Sequence, residues 1–134
     1  SITLPKNVVP TPPLGYLDFL NLIYHSAAVL TDSGGVQEEA VTLRRPCITL
    51  RRTTERWETV LVGANYLFPL EGSKAPLSQV VEIMLNRESW IRKIENPYGH
   101  HVTHQILSAL GNVIGEPSEV LSHLVANPCR PRCE

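Results

Sequence analysis

The most informative segment of this 134-residue chain is Thr31-Asp32-Ser33-Gly34-Gly35-Val36-Gln37-Glu38-Glu39. An apolar run at residues 27–30 precedes it. Apolar residues with helical spacing follow, at Val36, Ala40 and Leu43. That order predicts a strand, a tight glycine turn and a helix.

Such a turn carries backbone N–H groups that the following helix leaves unpaired. These donors and the positive end of the helix dipole together favour a bound phosphate. Gly34 and Gly35 let an anion approach the backbone with no side chain in the way. We therefore expect a ligand that bears a diphosphate. The alternative is a purely structural turn, in which Asp32 or Ser33 caps the helix with its side chain.

Size and composition narrow the class of protein. A chain of 134 residues fits one domain with a real core. The formal net charge of −1 gives no support for a nucleic-acid surface. No apolar run approaches the roughly 20 residues that cross a bilayer, and the N-terminal segment does not resemble a signal peptide. Three cysteines, with Cys47 inside a predicted strand, suit a reducing compartment. We expect a cytoplasmic domain with neither a nucleic-acid nor a membrane partner.

The hydrophobic pattern predicts alternating strands and helices. Strands are expected at residues 8–9, 28–31, 47–50 and 65–68. Helices are expected at residues 16–25, 35–43, 57–62, 77–84, 90–94, 102–113 and 118–125. The first helix is apolar on several sides, which predicts packing on more than one face. The pattern indicates an α/β fold, a parallel sheet flanked by helices, over residues 1–126, with a disordered tail at residues 127–134.

Two further groups of residues lie where a diphosphate ligand would bind. Glu38 and Glu39 fall early in a predicted helix, where carboxylates gain roughly 0.3–1 kcal/mol from the dipole. Glu39 is the better candidate to bind ribose hydroxyls, because it lies a turn into the helix. Residues 51–56 place arginines and threonines just after a strand, where open α/β sheets bind ligands. The alternative for residues 51–56 is a solvated basic loop.

A metal site is the weaker interpretation of the histidines and cysteines. His100 and His104 are one helical turn apart, His101 lies beside them, and Cys129 and Cys133 have a plausible ligand spacing. The proline-flanked tail is a poor frame and no fixed motif matches, so we interpret these as ordinary surface residues. The chain also lacks a Walker loop and a Gly-x-Gly-x-x-Gly fingerprint. We therefore expect neither a metal nor a cofactor.

Four sequence blocks together resemble a known family. They are Pro13-Leu14-Gly15-Tyr16-Leu17-Asp18-Phe19, Leu30 to Ala40, Arg51-x-Thr53-Thr54-Glu55-Arg56, and Asn96-Pro97-Tyr98-Gly99. Over about residues 8–112, they resemble the C-terminal half of the non-hydrolysing UDP-N-acetylglucosamine 2-epimerases, and the last three blocks occur in the family's order and spacing. The resemblance implies a GT-B architecture, in which two Rossmann-like domains face each other across a cleft. This chain would be the second, UDP-holding domain.

The resemblance also implies a substrate and a set of binding residues. The family interconverts UDP-N-acetylglucosamine and UDP-N-acetylmannosamine by eliminating UDP and adding it back, for cell-surface polysaccharide biosynthesis. The residues implied to contact UDP are Ser33, Gly34 and Gly35 at the diphosphate, Glu39 at the ribose, Arg56 in the ligand site, and Phe19 and Leu14 at the uracil. The family's acid and base residues belong to the preceding domain. This chain alone is therefore expected to be inactive, and the full-length protein is expected to be a homodimer.

Three other functions fit the same sequence blocks. A GT-B glycosyltransferase would also bind a UDP-sugar, and so would a non-catalytic UDP-sugar-binding module or a hydrolysing epimerase. Residues 53–56 favour the epimerase. Two segments depart from the family pattern: Trp57 stands where many relatives have proline, and His100-His101 replaces a small or acidic pair.

Overall fold

The structure is a computed structural model that describes residues 3–114. In chain order, its elements are α1 (Tyr16–His25), β1 (Val29–Thr31), α2 (Gly34–Thr42), β2 (Cys47–Thr49), α3 (Trp57–Leu61), β3 (Asn65–Leu67), α4 (Leu77–Asn86), α5 (Glu88–Ile91) and α6 (Val102–Ile114). These confirm the predicted strands at residues 28–31, 47–50 and 65–68 and the predicted helices between residues 16 and 113, with α5 shifted toward the N-terminus from the predicted 90–94. The predicted helix at 118–125, the boundary at 126 and the tail at 127–134 lie outside the described residues.

The three strands form one parallel sheet in the order β1-β2-β3. Thr31 pairs with Thr49, and Thr49 pairs with Leu67, so the three strands end level with one another. The carboxyl ends of parallel strands share one edge of a sheet. The glycine turn after β1 and the loop after β2 therefore leave the sheet side by side.

Helices cover both faces of this sheet. Cys47 and Ile48 are neighbours on β2, and successive side chains of a strand point to opposite faces. Cys47 packs in a cluster with residues of α1 and α2, among them Ile23 and Ala40. Ile48 packs in a second cluster, which includes Met84 of α4. The fold is the expected α/β sheet flanked by helices, and α2 contributes Ala40 to the first cluster and Val41 to the second.

Two details of the predicted fold are wrong. Residues 8–9 do not form a strand, and Val9 is 80% exposed. A strand needs a neighbour to satisfy its backbone groups, and no described strand pairs with these two residues. Helix α1 buries only Ile23, while Leu17 is 78% exposed. Its packing is therefore one-sided, because α2 and the sheet cover a single face.

The described part of the chain divides into two units between residues 97 and 98. In the second unit, α6 shows one stripe of exposed apolar residues at Val102, Ile106 and Leu110. Among residues 3–114, no helix combines the length and the apolar character that crossing a membrane requires.

Candidate functional site

The glycine turn (residues 33–35) leaves backbone donors free at the start of α2. Ser33 is the N-cap of α2, but its side chain makes no capping hydrogen bond. Its backbone N–H donates instead to Thr31 Oγ1 at 3.0 Å. Among the described residues, no acceptor bonds to the N–H groups of Gly34 and Gly35. The side-chain cap proposed as the structural alternative is therefore absent from this turn.

Gly34 and Gly35 differ in the free space beside them. A Cβ atom at Gly35 would meet no heavy atom within 4 Å, so an anion can approach the backbone there. A Cβ atom at Gly34 would lie 2.5 Å from Glu55 Oε1. The Glu55 carboxylate also pairs with Arg51 at 3.5 Å, and both side chains are exposed. An exposed pair of this kind is weak, so Glu55 is free to move from the turn.

An ion pair brings Arg56 to the same helix. Arg56 is the N-cap of α3, in the loop after β2. Its Nε atom lies 2.9 Å from Glu38 Oε1 of α2. The Glu38 carboxylate is therefore directed at a cation, which reduces its repulsion of an anion at the glycine turn. The structure thus brings together two of the predicted groups, the glycine turn and Arg56.

The remaining predicted residues lie around α1 and α2. Glu39 is half-buried and lines a cavity of about 260 Å³ between these two helices, with Tyr16 and Leu20. Phe19 lines a second groove, of about 330 Å³, beside β1, with Val36 of α2. Leu14 is 40% exposed in the loop before α1 and lines neither of these two cavities.

A buried polar network behind the site was not predicted from the sequence. Gln37 and Thr59 are 0% exposed, Asn65 is 4% exposed and Thr54 is 5% exposed. Their side chains are hydrogen-bonded to one another. The sequence contained one indication that Gln37 is buried, because Gln37 shares a helical face with the apolar residues Ala40 and Val41. A polar residue on a buried helix face requires partners.

The described residues offer no metal centre. Across residues 3–114, no group of three or more His, Cys, Asp and Glu side chains is arranged to hold an ion. His100 and His101 are exposed, and His101 has a positive φ of 59°. Cys129 and Cys133 lie outside the described residues.

The parallel sheet and the glycine turn define a Rossmann-like α/β domain. Residues 2–111 match the family described as UDP-N-acetylglucosamine 2-epimerase. The match covers most of the chain, and the chain therefore belongs to this family of isomerases.

Relatives from archaea and bacteria have the same name. UDP-N-acetylglucosamine 2-epimerase of Methanocaldococcus jannaschii is 52% identical over 95 residues, which are 71% of this chain and 25% of the relative. The Escherichia coli enzyme is 36% identical over 110 residues, or 80% of this chain and 29% of the relative. The chain thus spans between a quarter and a third of the length of these relatives.

Solved structures show the same fold. The Methanocaldococcus jannaschii epimerase in complex with UDP-N-acetylglucosamine and UDP matches with a TM-score of 0.62 and 48% identity, over 74% of this chain and 27% of that protein. The Neisseria meningitidis epimerase bound to UDP-N-acetylglucosamine matches with a TM-score of 0.59 and 31% identity, over 79% and 29%. Both neighbours are GT-B proteins.

Proposed function

We propose that this chain is the UDP-holding, C-terminal half of a UDP-N-acetylglucosamine 2-epimerase. The observation that carries the proposal is the glycine turn: the N–H groups of Gly34 and Gly35 have no acceptor among the described residues, and Gly35 faces open space. Backbone donors at a helix N-terminus favour a phosphate group. The ligand reported for the Methanocaldococcus jannaschii relative supports UDP as the molecule bound.

Each predicted residue has a role in this proposal. Ser33, Gly34 and Gly35 bind the diphosphate, and Arg56 exchanges Glu38 for a phosphate oxygen. Glu39 accepts hydrogen bonds from the ribose. Phe19 and the Leu14 region contact the uracil. The cavity lined by Glu39 and the groove lined by Phe19 flank α1, which supports a nucleoside bound beside that helix.

The reaction requires more than this chain provides. The proposed epimerisation at C2 eliminates UDP and then adds it back after protonation on the other face of the sugar. UDP must stay bound throughout, because a fixed leaving group is correctly placed for re-addition. We assign the acid and base groups to a preceding Rossmann-like domain, and we propose a homodimer for the complete enzyme. This chain alone therefore binds UDP but does not turn over the substrate.

The test is a calorimetric titration with UDP and, as a control ligand, UMP. It is run on this chain and on a longer protein that contains it. We expect saturable UDP binding about tenfold or more tighter than UMP binding, because the second phosphate adds charged hydrogen bonds. Glu39→Ala should weaken UDP binding, and Glu82→Ala, at an exposed position of α4, should not. Equal affinities for UDP and UMP, or no binding by either protein, would contradict the proposal.

A further inference from the structure

We propose that Gln37 is a positioning residue that fixes the backbone of Arg56 relative to the glycine turn. The inference rests on the nucleotide site proposed above, because it assigns Gln37 a role in shaping that site. The Gln37 side chain is 0% exposed, so it cannot touch a ligand on the open surface. Its effect on binding is transmitted through its hydrogen bonds.

Gln37 uses both ends of its amide. Its Nε2 atom donates to the carbonyl oxygen of Ser33, in the glycine turn, at 3.2 Å. Its Oε1 atom accepts from Thr54 Oγ1 at 2.7 Å and from Asn65 Nδ2 at 3.1 Å. One buried side chain therefore connects the glycine turn, the loop after β2 and the first residue of β3.

Arg56 closes a ring of hydrogen bonds with these residues. Its backbone N–H donates to Thr54 Oγ1 at 3.0 Å, and its carbonyl oxygen accepts from Thr59 Oγ1 at 2.7 Å. Asn65 Nδ2 donates to Thr59 Oγ1 at 2.9 Å as well as to Gln37 Oε1. Each threonine hydroxyl thus donates once and accepts once. Every side-chain nitrogen and oxygen atom of Gln37, Thr54, Thr59 and Asn65 therefore has at least one partner, and the ring includes both backbone groups of Arg56.

The ring is also anchored to the centre of the sheet. Thr49 of β2 donates from Oγ1 to Asn65 Oδ1 at 2.8 Å, and Thr49 is 0% exposed. A buried polar network is costly if any member lacks a partner, whereas an apolar core has no such requirement. A fully satisfied network instead restricts its members to one arrangement. In this protein, the backbone of Arg56 is part of that arrangement.

The position of the Arg56 backbone sets the point from which its side chain, and therefore its guanidinium group, extends. The Arg56 side chain is 38% exposed and extends to Glu38, so its own packing leaves it freedom to move. Small displacements of a charged group cost binding and catalysis steeply. Without Gln37, the loop after β2 and the glycine turn lose their shared hydrogen-bonding partner. Arg56 and the glycine turn, which both contact the phosphate in the proposed site, then lose their fixed position relative to each other.

The first test replaces Gln37 by methionine, which keeps the approximate volume and removes both polar ends. We expect Gln37→Met to weaken UDP binding about tenfold by calorimetry. Gln79→Met, at an exposed position of α4, is the matched control and should leave the affinity unchanged. An unchanged affinity in Gln37→Met would overturn the proposal.

A double-mutant cycle separates positioning from general loss of structure. If Gln37 acts through Arg56, Gln37→Met should weaken UDP binding less than about twofold when Arg56 is already alanine. Fully additive losses would show that the two residues act separately, and would overturn the positioning role. Thr54 provides a second route if Gln37→Met does not fold. Thr54→Ser retains the hydroxyl and should keep the affinity, whereas Thr54→Val should lose it.

One readout requires no ligand, and it separates failure of this inference from failure of the proposed function. Hydrogen exchange at the Arg56 amide should accelerate about tenfold or more in Thr54→Val but not in Thr54→Ser, because that amide donates to Thr54. If exchange responds but neither Arg56→Ala nor Glu39→Ala alters UDP affinity, the ring is real and the nucleotide site is wrong. If both of those variants weaken binding while Gln37→Met and Thr54→Val do not, only the positioning role fails.

Discussion

Arg56 Nε lies 2.9 Å from Glu38 Oε1, and this ion pair joins the loop after β2 to helix α2. The two side chains are 38% and 36% exposed. Ion pairs with this much solvent access contribute at most about 1 kcal/mol to stability. The pair therefore holds the guanidinium group against helix α2 but contributes little to stability, so the proposed exchange of the carboxylate for a phosphate would leave the fold intact.

Glu38→Gln should strengthen UDP binding by a few fold. The substitution removes a negative charge near the proposed phosphate position and releases Arg56 from its present partner. The midpoint of thermal unfolding should change little, because the pair is partly exposed. Calorimetry and thermal melts measure the two effects. Glu82→Gln on α4 is the control, and weaker UDP binding in Glu38→Gln would show that the carboxylate holds Arg56 in its binding position.

Arg56→Ala should weaken UDP binding by about 1–3 kcal/mol, the cost of losing a hydrogen bond from a charged donor. The control is Arg52→Ala in the same loop, where the side chain is 72% exposed and pairs loosely with Glu71 at 3.8 Å. If overall positive charge in the loop attracted UDP, both variants would weaken binding equally. Unchanged affinity in Arg56→Ala would remove this residue from the site.

Gly35→Ala should separate binding from folding. Alanine has the higher helix propensity, by up to about 1 kcal/mol, and a Cβ at this position meets no heavy atom within 4 Å. The free energy of unfolding should therefore stay the same or rise. UDP binding should nevertheless weaken about tenfold or more, because the methyl group occupies the space through which the anion approaches the backbone. Urea unfolding tests the expected stability of Gly35→Ala, and calorimetry tests its expected loss of UDP affinity. Unchanged UDP affinity would show that the phosphate binds elsewhere.

Much of the fold follows from local patterns in the sequence. The strands and most helices were predictable from apolar spacing, because each segment has a clear period. The glycine turn and the loop that carries Arg56 were expected to meet, since both follow strands of one parallel sheet. The strand prediction at residues 8–9 was wrong because a strand also depends on a neighbouring strand to pair with. The prediction that α1 packs on more than one face was wrong because the sequence of a helix that is apolar on several sides does not indicate which side is covered.

The contacts that shape the candidate site were not predictable. Gln37, Thr54 and Asn65 are separated by at least 11 residues along the chain, and only the completed fold brings their side chains together. Glu38 could equally have faced solvent, because it lies on a helix with charged and apolar neighbours. Burial and partner choice are tertiary properties, so a single sequence indicates a polar core residue only by its place on a helix face.

Gly63→Ala should destabilise the fold by about 1–3 kcal/mol. Gly63 follows α3 with a φ of 74°, a conformation that costs a side chain energy. Its Cβ would also lie 2.9 Å from Trp90 Cη2. Gly72→Ala is the matched control, because its φ is 77° but no heavy atom lies within 4 Å. Urea unfolding measures both variants. If Gly63→Ala is no worse than Gly72→Ala, the Trp90 ring yields without cost.

The thiol of Cys47 should make stability depend on pH in alkaline solution. Burial in β2 raises the pKa of Cys47 from 9.0 to about 12, and a hydrogen bond between its thiol and the Thr49 hydroxyl offsets this only in part. Below pH 9.0, the thiol is protonated in both the folded and the unfolded chain. Between pH 9.0 and about 12, the unfolded chain releases the proton and the folded chain keeps it. The free energy of unfolding contributed by this group therefore falls as the pH rises through that window.

Alkylation kinetics test the same property directly, because the thiolate is the reactive form. At pH 8–9, Cys47 should react with iodoacetamide at least about a hundredfold more slowly in the folded chain than in urea, since burial both raises its pKa and blocks access. Peptide mapping by mass spectrometry distinguishes Cys47 from the other two cysteines. In Ile48→Ala, a cavity on the face of β2 opposite Cys47 should lower the free energy of unfolding by about 2–5 kcal/mol and accelerate the reaction through more frequent opening. Rapid alkylation of Cys47 in the native wild-type chain would show that β2 is not the protected centre of the sheet.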